Sequence, residues 1–211
     1  LTVIAASHTV ELAERFGRRV RNLISEHGPV LGLGLAADSQ AAGRWDTDAG
    51  GEYFAAGVRG PITGRRADLA LIDDPVKSRE EADSETIRER TKDWYRNDLY
   101  TRLKPGGRII VIQTRWHEDD LSGWLLSEEK RGGDHWDVLS LPAVAVESDP
   151  LGRKPGQPLW PEWQDSAALK RVQDAVGPRT WSALYQQRPQ PDEGTFFQRA
   201  WFKRYAKAQK P

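Results

Sequence analysis

Cysteine and methionine are both missing from the 211 residues. Without cysteine there is no disulfide framework and no thiolate metal site, which fits a reducing compartment. No stretch approaches the roughly 18 apolar residues that span a bilayer, and the start lacks the pattern of a signal peptide. Charge of one sign is missing too: 31 Lys and Arg balance 31 Asp and Glu. That balance removes any bulk electrostatic reason to bind nucleic acid or membrane and leaves only local patches. The chain opens on Leu1, directly in an apolar run. It is therefore expected to be a piece of a longer protein.

What is present reads as an alternation of strands and helices. Residues 1–6 are apolar and partly β-branched, as in a buried strand. Ser7 to Thr9 supply a cap for a helix over 10–24, with Leu12, Phe16, Val20, Leu23 and Ile24 on one stripe and Gly28-Pro29 as the stop. Residues 30–35 fit a short strand and polar 36–52 an exposed loop. Strands are expected at 52–58, 69–72, 108–113 and 136–141. Helices are expected at 84–103, ended by Pro105-Gly106-Gly107, and at 118–126. This order predicts an α/β domain with a mostly parallel sheet flanked by helices over residues 1–141. Residues 142–211 then form a C-terminal part. It contains a proline-rich excursion, a capped helix at 165–176, a second helix starting at Pro178, and a tail with Phe196, Phe197, Trp201, Phe202 and Tyr205.

Two strand ends carry the chemistry. Leu69-Ala70-Leu71-Ile72 delivers Asp73-Asp74-Pro75, and ligands of open α/β sheets bind beyond the carboxyl ends of strands. Adjacent carboxylates repel unless a cation or a proton intervenes, and a hard cation such as Mg²⁺ prefers oxygen ligands. One carboxylate then serves the metal's water shell and the other polarises an attacking water. Asp-Asp-Pro is also good turn chemistry, so both readings stand. The second end, Ile109-Ile110-Val111-Ile112, delivers Gln113, Thr114 and Arg115. Thr or Gln there can sense a phosphate, and Arg115 can pair with phosphate or with Asp74. Glu118, Asp119 and Asp120 suit the acidic first turn of a helix.

Lesser signals are basic. Arg15, Arg18, Arg19 and Arg21 make a helix face that suits either solvent or DNA phosphate. Arg44-Trp45 pairs a cation with an aromatic, as DNA-contacting loops do, and equally suits a turn that packs its Trp on the domain.

The two strands with a long helix between them resemble the Walker B and coupling-motif strands of a RecA-like, P-loop NTPase type ATPase. Three separated segments are more specific: residues 64–75, the run Gln113-Thr114-Arg115-Trp116-His117-Glu118-Asp119-Asp120-Leu121, and Trp181-Ser182-Ala183-Leu184-Tyr185-Gln186-Gln187-Arg188-Pro189. In this order they resemble the large terminase subunit of tailed phages and prophages, from Leu1 through Trp201.

The resemblance implies an ATP-driven motor that moves double-stranded DNA into a procapsid in the bacterial cytoplasm, with a nuclease domain that cuts the DNA. It implies Mg²⁺ and ATP at the site, a homo-oligomeric ring, and the terminase small subunit and the portal as partners, with no membrane. Carried over, Asp73 is the Walker B residue that holds Mg²⁺ through water, and Asp74 stands where many members have a catalytic Glu. Thr114 takes the coupling position between Gln113 and Arg115, and Arg65 or Arg66 is the candidate arginine finger toward a neighbour. Two departures accompany these matches. The family's Gly-x-x-x-x-Gly-Lys-Ser/Thr loop is expected upstream of Leu1, and Gly60-Pro61-Ile62-Thr63-Gly64-Arg65 does not replace it. The nuclease carboxylates are expected beyond Trp201. The isolated chain is therefore expected to bind ATP poorly, and a non-catalytic terminase-like module that docks other packaging proteins is the rival reading. A different RecA-like helicase fragment fits less well, because of the 181–189 segment.

Overall fold

The computed structural model describes residues 1–190. The chain divides into two compact units, Leu1–Thr114 with Asp119–Trp136, and Arg115–Glu118 with Asp137–Pro211.

The first unit is a six-stranded sheet with helices on both faces. Its strands are β1 (Thr2–Ser7), β2 (Leu35–Gln40), β3 (Arg44–Thr47), β4 (Glu52–Gly57), β5 (Ala67–Asp73) and β6 (Leu103–Ile112), in the spatial order β2-β3-β4-β1-β5-β6. The pairs β4-β1, β1-β5 and β5-β6 are parallel, and β2 and β3 extend the sheet antiparallel. The mostly parallel α/β architecture expected from the alternation is what the chain adopts.

Helix α1 (Val10–Leu31) covers one face, with Thr9 Oγ1 accepting from Leu12 N–H at its start. It buries Ala13, Gly17, Ile24 and Gly28, while Phe16, Val20 and Leu23 of the expected core stripe face solvent. Tyr53 and Trp45 cause this change. Their rings stack with centroids 5.1 Å apart and fill the space over the sheet, leaving room only for a helix face of small residues. Trp45 Nε1 donates to the Gly17 carbonyl (3.0 Å) and Tyr53 Oη to that of Ala13 (2.7 Å). The helix also continues past the expected stop at Gly28-Pro29. Its end is Gly32, left-handed at φ 62°, whose N–H donates to the Gly28 carbonyl.

The opposite face carries α2 (Arg79–Asp83), α3 (Glu85–Trp94) and α4 (Leu121–Glu129). Ile4, Ala6, Ile62, Ala70 and Ile72 pack there against Trp94, Tyr95, Leu99 and Trp124. The expected long helix at 84–103 ends instead in a π turn (Tyr95–Leu99) and a 3₁₀ turn (Tyr100–Arg102).

Other expectations fail for identifiable reasons. Residues 36–52, expected as a loop, form β2 and β3, because the exposed edge of a sheet tolerates polar residues. Pro105-Gly106-Gly107 does not precede β6 but lies within it, as a bulge between the pairs Ala67↔Leu103 and Leu69↔Arg108. Residues 136–141 form no strand: Trp136 packs on the first unit's core, while Val138 and Leu139 are exposed. An apolar run without a strand to pair with has no ladder to join.

In the second unit, α5 (Ser166–Thr180) breaks at Gly177 (φ 77°, ψ 167°), and Pro178 begins the piece that runs into a π turn at Trp181–Tyr185. The amide of Gln186 both accepts from Val144 N–H (3.0 Å) and donates to the Val144 carbonyl (3.1 Å). Gln186 of the 181–189 segment thus holds the start of the proline-rich excursion in place. The aromatic tail at 196–205 lies outside the described residues.

Gly17 is the tightest point under α1. A Cβ there would run into the Tyr53 ring and lie 2.9 Å from the Ala42 carbonyl oxygen. Gly17→Ala is expected to destabilise the chain by about 1–3 kcal/mol in urea unfolding, despite alanine's better helix propensity. An unchanged or raised midpoint would show that the helix can lift off without cost.

Candidate functional site

Three parallel strands end together at the carboxyl edge of the sheet. Register pairs Ser7 of β1 with Asp73 of β5, and Asp73 with Ile112 of β6. Asp74, one residue on, ties the three ends to one another. Its N–H donates to the Ile112 carbonyl (2.9 Å), and its Oδ1 accepts from Thr114 N–H (3.2 Å). Its carbonyl accepts from His8 N–H (3.2 Å) and lies 3.1 Å from His8 Nδ1. A carbonyl only accepts, so Nδ1 is the donor in that contact.

Asp74 holds a left-handed backbone (φ 41°), which Asp tolerates better than most residues but which still costs about 1–2 kcal/mol. Strained positions of this kind persist where the surroundings over-determine them, and here four hydrogen bonds do. The turn chemistry of Asp-Asp-Pro and a role for the carboxylate are therefore not rivals. The turn is the device that holds the carboxylate.

Asp73 is half-buried. Burial raises its carboxyl above the ordinary value, the Asp74 charge adds to the rise, and His8 opposes it. Partial burial beside a second carboxylate is what a bound cation would relieve. Among the described residues no cluster of three or more His, Cys, Asp and Glu is placed to hold a metal by itself. One or two carboxylates with waters and phosphates completing the shell is the usual arrangement for Mg²⁺, and the residues present fit it.

The sequence-predicted candidates divide clearly. Asp73, Asp74, Gln113 and Thr114 share the carboxyl edge, with Gln113 Nε2 buried and without a partner. Arg115 belongs to the second unit, where its N–H donates to Gln187 Oε1 (3.1 Å) and its guanidinium turns to the carbonyls of His117 and Glu118. Arg65 and Arg66 lie at the amino edge, before β5 begins, roughly 20 Å of strand away from Asp73. Arg65 sits over the Phe54 ring (4.7 Å) and 3.8 Å from Glu52, whereas Arg66 is exposed.

Trp45 corrects one expectation. It is 5% exposed, stacked on Tyr53, and offers no face to a nucleic-acid base. Arg44 beside it is open to solvent. Two of the acids after Thr114 have structural partners. Asp120 caps α4 through Gly123 N–H (3.0 Å), and Asp119 accepts from buried Lys92 (2.7 Å) and from Arg88 (3.4 Å). The glycine-rich segment 60–65 is a crossover from β4 to β5: it buries Ile62 and accepts Trp94 Nε1 at the Gly60 carbonyl (3.2 Å).

Ser7 and His8 lie at the same edge, although the sequence pattern there suggests only a helix cap. The signal that marks Asp73 marks them also: polar residues directly after an apolar run that ends at the same sheet edge.

The family described as terminase large subunit, T4likevirus-type, N-terminal, matches residues 2–204. Among solved structures the chain is similar to the large terminase of bacteriophage HK97, at 15% identity and a TM-score of 0.45. That similarity covers 89% of this chain and 40% of the HK97 chain, so the chain spans less than half the length of that protein. No curated protein matches.

Because ionised Asp73 is disfavoured in the fold, its cost is absent below the ordinary carboxylate range. It grows as pH rises through the raised value and is complete at neutral pH. Asp73→Asn is therefore expected to be more stable than the parent at pH 7 in metal-free buffer, with the advantage fading near pH 3. Urea melts at both values check this. A variant weaker than the parent at pH 7 would mean that the carboxylate has a favourable partner.

Proposed function

The chain belongs to the large subunits of terminase, the DNA-packaging proteins of tailed phages, and on that premise we propose that it forms the hydrolytic edge of a DNA-translocating ATPase. The observation that carries this reading is the convergence of Asp73, Asp74 and Thr114 on one sheet edge, with Asp74 held in a strained turn by its neighbours.

In this reading Asp73 holds the water shell of Mg²⁺, which supplies neutralisation of phosphate charge. Asp74 orients or deprotonates the attacking water. Thr114, hydrogen-bonded through its backbone to the Asp74 carboxylate, is the residue through which a change at the phosphates reaches the chain beyond β6. An arginine acting on a neighbouring subunit falls to Arg66 more readily than to Arg65, which is engaged with Phe54 and Glu52. Double-stranded DNA, the small subunit and the portal are the partners this activity requires.

Phosphate binding falls to chain preceding Leu1, and β6 offers the place for it. β6 is the last strand in the order, and on the α1 side its Ile110 and Ile112 are 46% and 57% exposed. A parallel strand added there, followed by a helix leading into β1, must place that helix on the α1 face for the crossover to be right-handed. The same helix would cover Ile110 and Ile112, and the turn before it would sit beside Asp73.

Residues 1–211 alone are accordingly expected to show no tight Mg·ATP binding. Calorimetry that found affinity on the order of micromolar would place the phosphate cradle within these residues and sink the assignment of the upstream loop. In the full-length parent protein, Asp73→Asn is expected to weaken metal binding and hydrolysis together. Asp74→Asn should spare nucleotide binding while slowing hydrolysis by about 10²–10⁴-fold. Hydrolysis and packaging at the parental rate by Asp74→Asn would leave that residue only its part in the turn, for which Asn serves equally well.

A further inference from the structure

Ser7 carries a hydroxyl that the fold does not use. It is the last residue of β1, 0% exposed, and its Oγ has no hydrogen-bond partner. The Ser7 carbonyl is occupied by Val58 N–H (2.7 Å), and the cap of α1 is made by Thr9, so neither local task explains the side chain. Alanine is nearly the same size and fills the two preceding positions, Ala5 and Ala6. A buried hydroxyl left unpaired is a cost that alanine would not incur.

Its position indicates what would use it. Ser7 pairs in register with Asp73, and paired residues of parallel strands point their side chains to the same face. Two residues earlier on each strand, Ala5 and Leu71 both lie on the α1 side, so Ser7 and Asp73 do as well. On its other flank Ser7 pairs with Gly57, which lies against the first turn of α1. The hydroxyl thus lies buried on the α1 side, at the carboxyl edge between Gly57 and Asp73.

We infer that Ser7 is an outer-sphere ligand of a hydrated divalent cation at Asp73: its Oγ hydrogen-bonds a water of the metal shell and orients it. This rests on the reading of Asp73 as the cation-holding carboxylate and adds a residue to it. Mg²⁺ gives up its waters reluctantly, so groups that hold those waters contribute to the site without touching the metal.

The test uses the chain itself, with Mn²⁺ as an electron-spin-resonance probe, and compares the parent, Ser7→Ala and Asp73→Asn. The parent is expected to bind Mn²⁺ and Asp73→Asn to lose it, while Ser7→Ala binds about tenfold more weakly. In the presence of chelator, Ser7→Ala is expected to melt higher than the parent by roughly 2–4 °C, because the unpaired hydroxyl is gone. A purely structural serine would move the melt the other way and leave Mn²⁺ alone. Parental Mn²⁺ affinity in Ser7→Ala, or a lower melting point, overturns the proposal while Asp73 keeps its role. Absence of Mn²⁺ binding by the parent overturns both.

Discussion

The carboxyl edge of this sheet depends on one residue being bonded at every level. Asp74 uses its N–H on β6, its carbonyl on the residue after β1, and its carboxylate on the chain leaving β6. Parallel strands have no hairpin to fix their relative ends, so their termini are set by whatever crosses between them. Here that crosspiece is a left-handed aspartate. Removing it would free three strand ends at once, and a site built on those ends inherits its rigidity from the same bonds.

A matching constraint acts at the amino edge. The Asp68 carboxylate accepts from Thr2 N–H (2.7 Å), from Thr2 Oγ1 (3.0 Å) and from Lys104 Nζ (3.1 Å), joining β1, β5 and β6. The Thr2 amide and the Lys104 ammonium hold its carboxyl down to about 2. The two edges thus carry aspartates of opposite character. Asp68 is satisfied and favours its charge, whereas Asp73 is half-buried beside another carboxylate and resists it. The charge of Asp73 is thus a cost that the fold carries, offset by the core beneath.

The parallel strands were legible because each carries an unbroken apolar stretch. Residues 3–6, 69–72 and 109–112 are continuous apolar runs, and the polar residues that follow them mark the carboxyl edge of the sheet without further information. The antiparallel extension was not legible. β2 and β3 are polar, and what makes them strands is the stacking of Trp45 on Tyr53 under α1, a contact between residues eight apart in sequence and on different strands. Periodicity likewise misassigned α1, because its helical stripe of large residues is real but the face that meets the sheet is the small one.

Sequence by itself determined the parallel strands with the helices between them, the polar strand ends that gather at one edge and, through three spaced segments, the terminase family. These depend on residue type and spacing, which the chain carries locally. Only tertiary structure decided that Asp74 is the joint between strands, that Trp45 is core and Arg115 turned toward its own loop, and that Ser7 and His8 belong with Asp73. Each of those depends on which strands lie side by side and in what register. Register in a parallel sheet is fixed by crossovers and packing rather than by any residue's own preference.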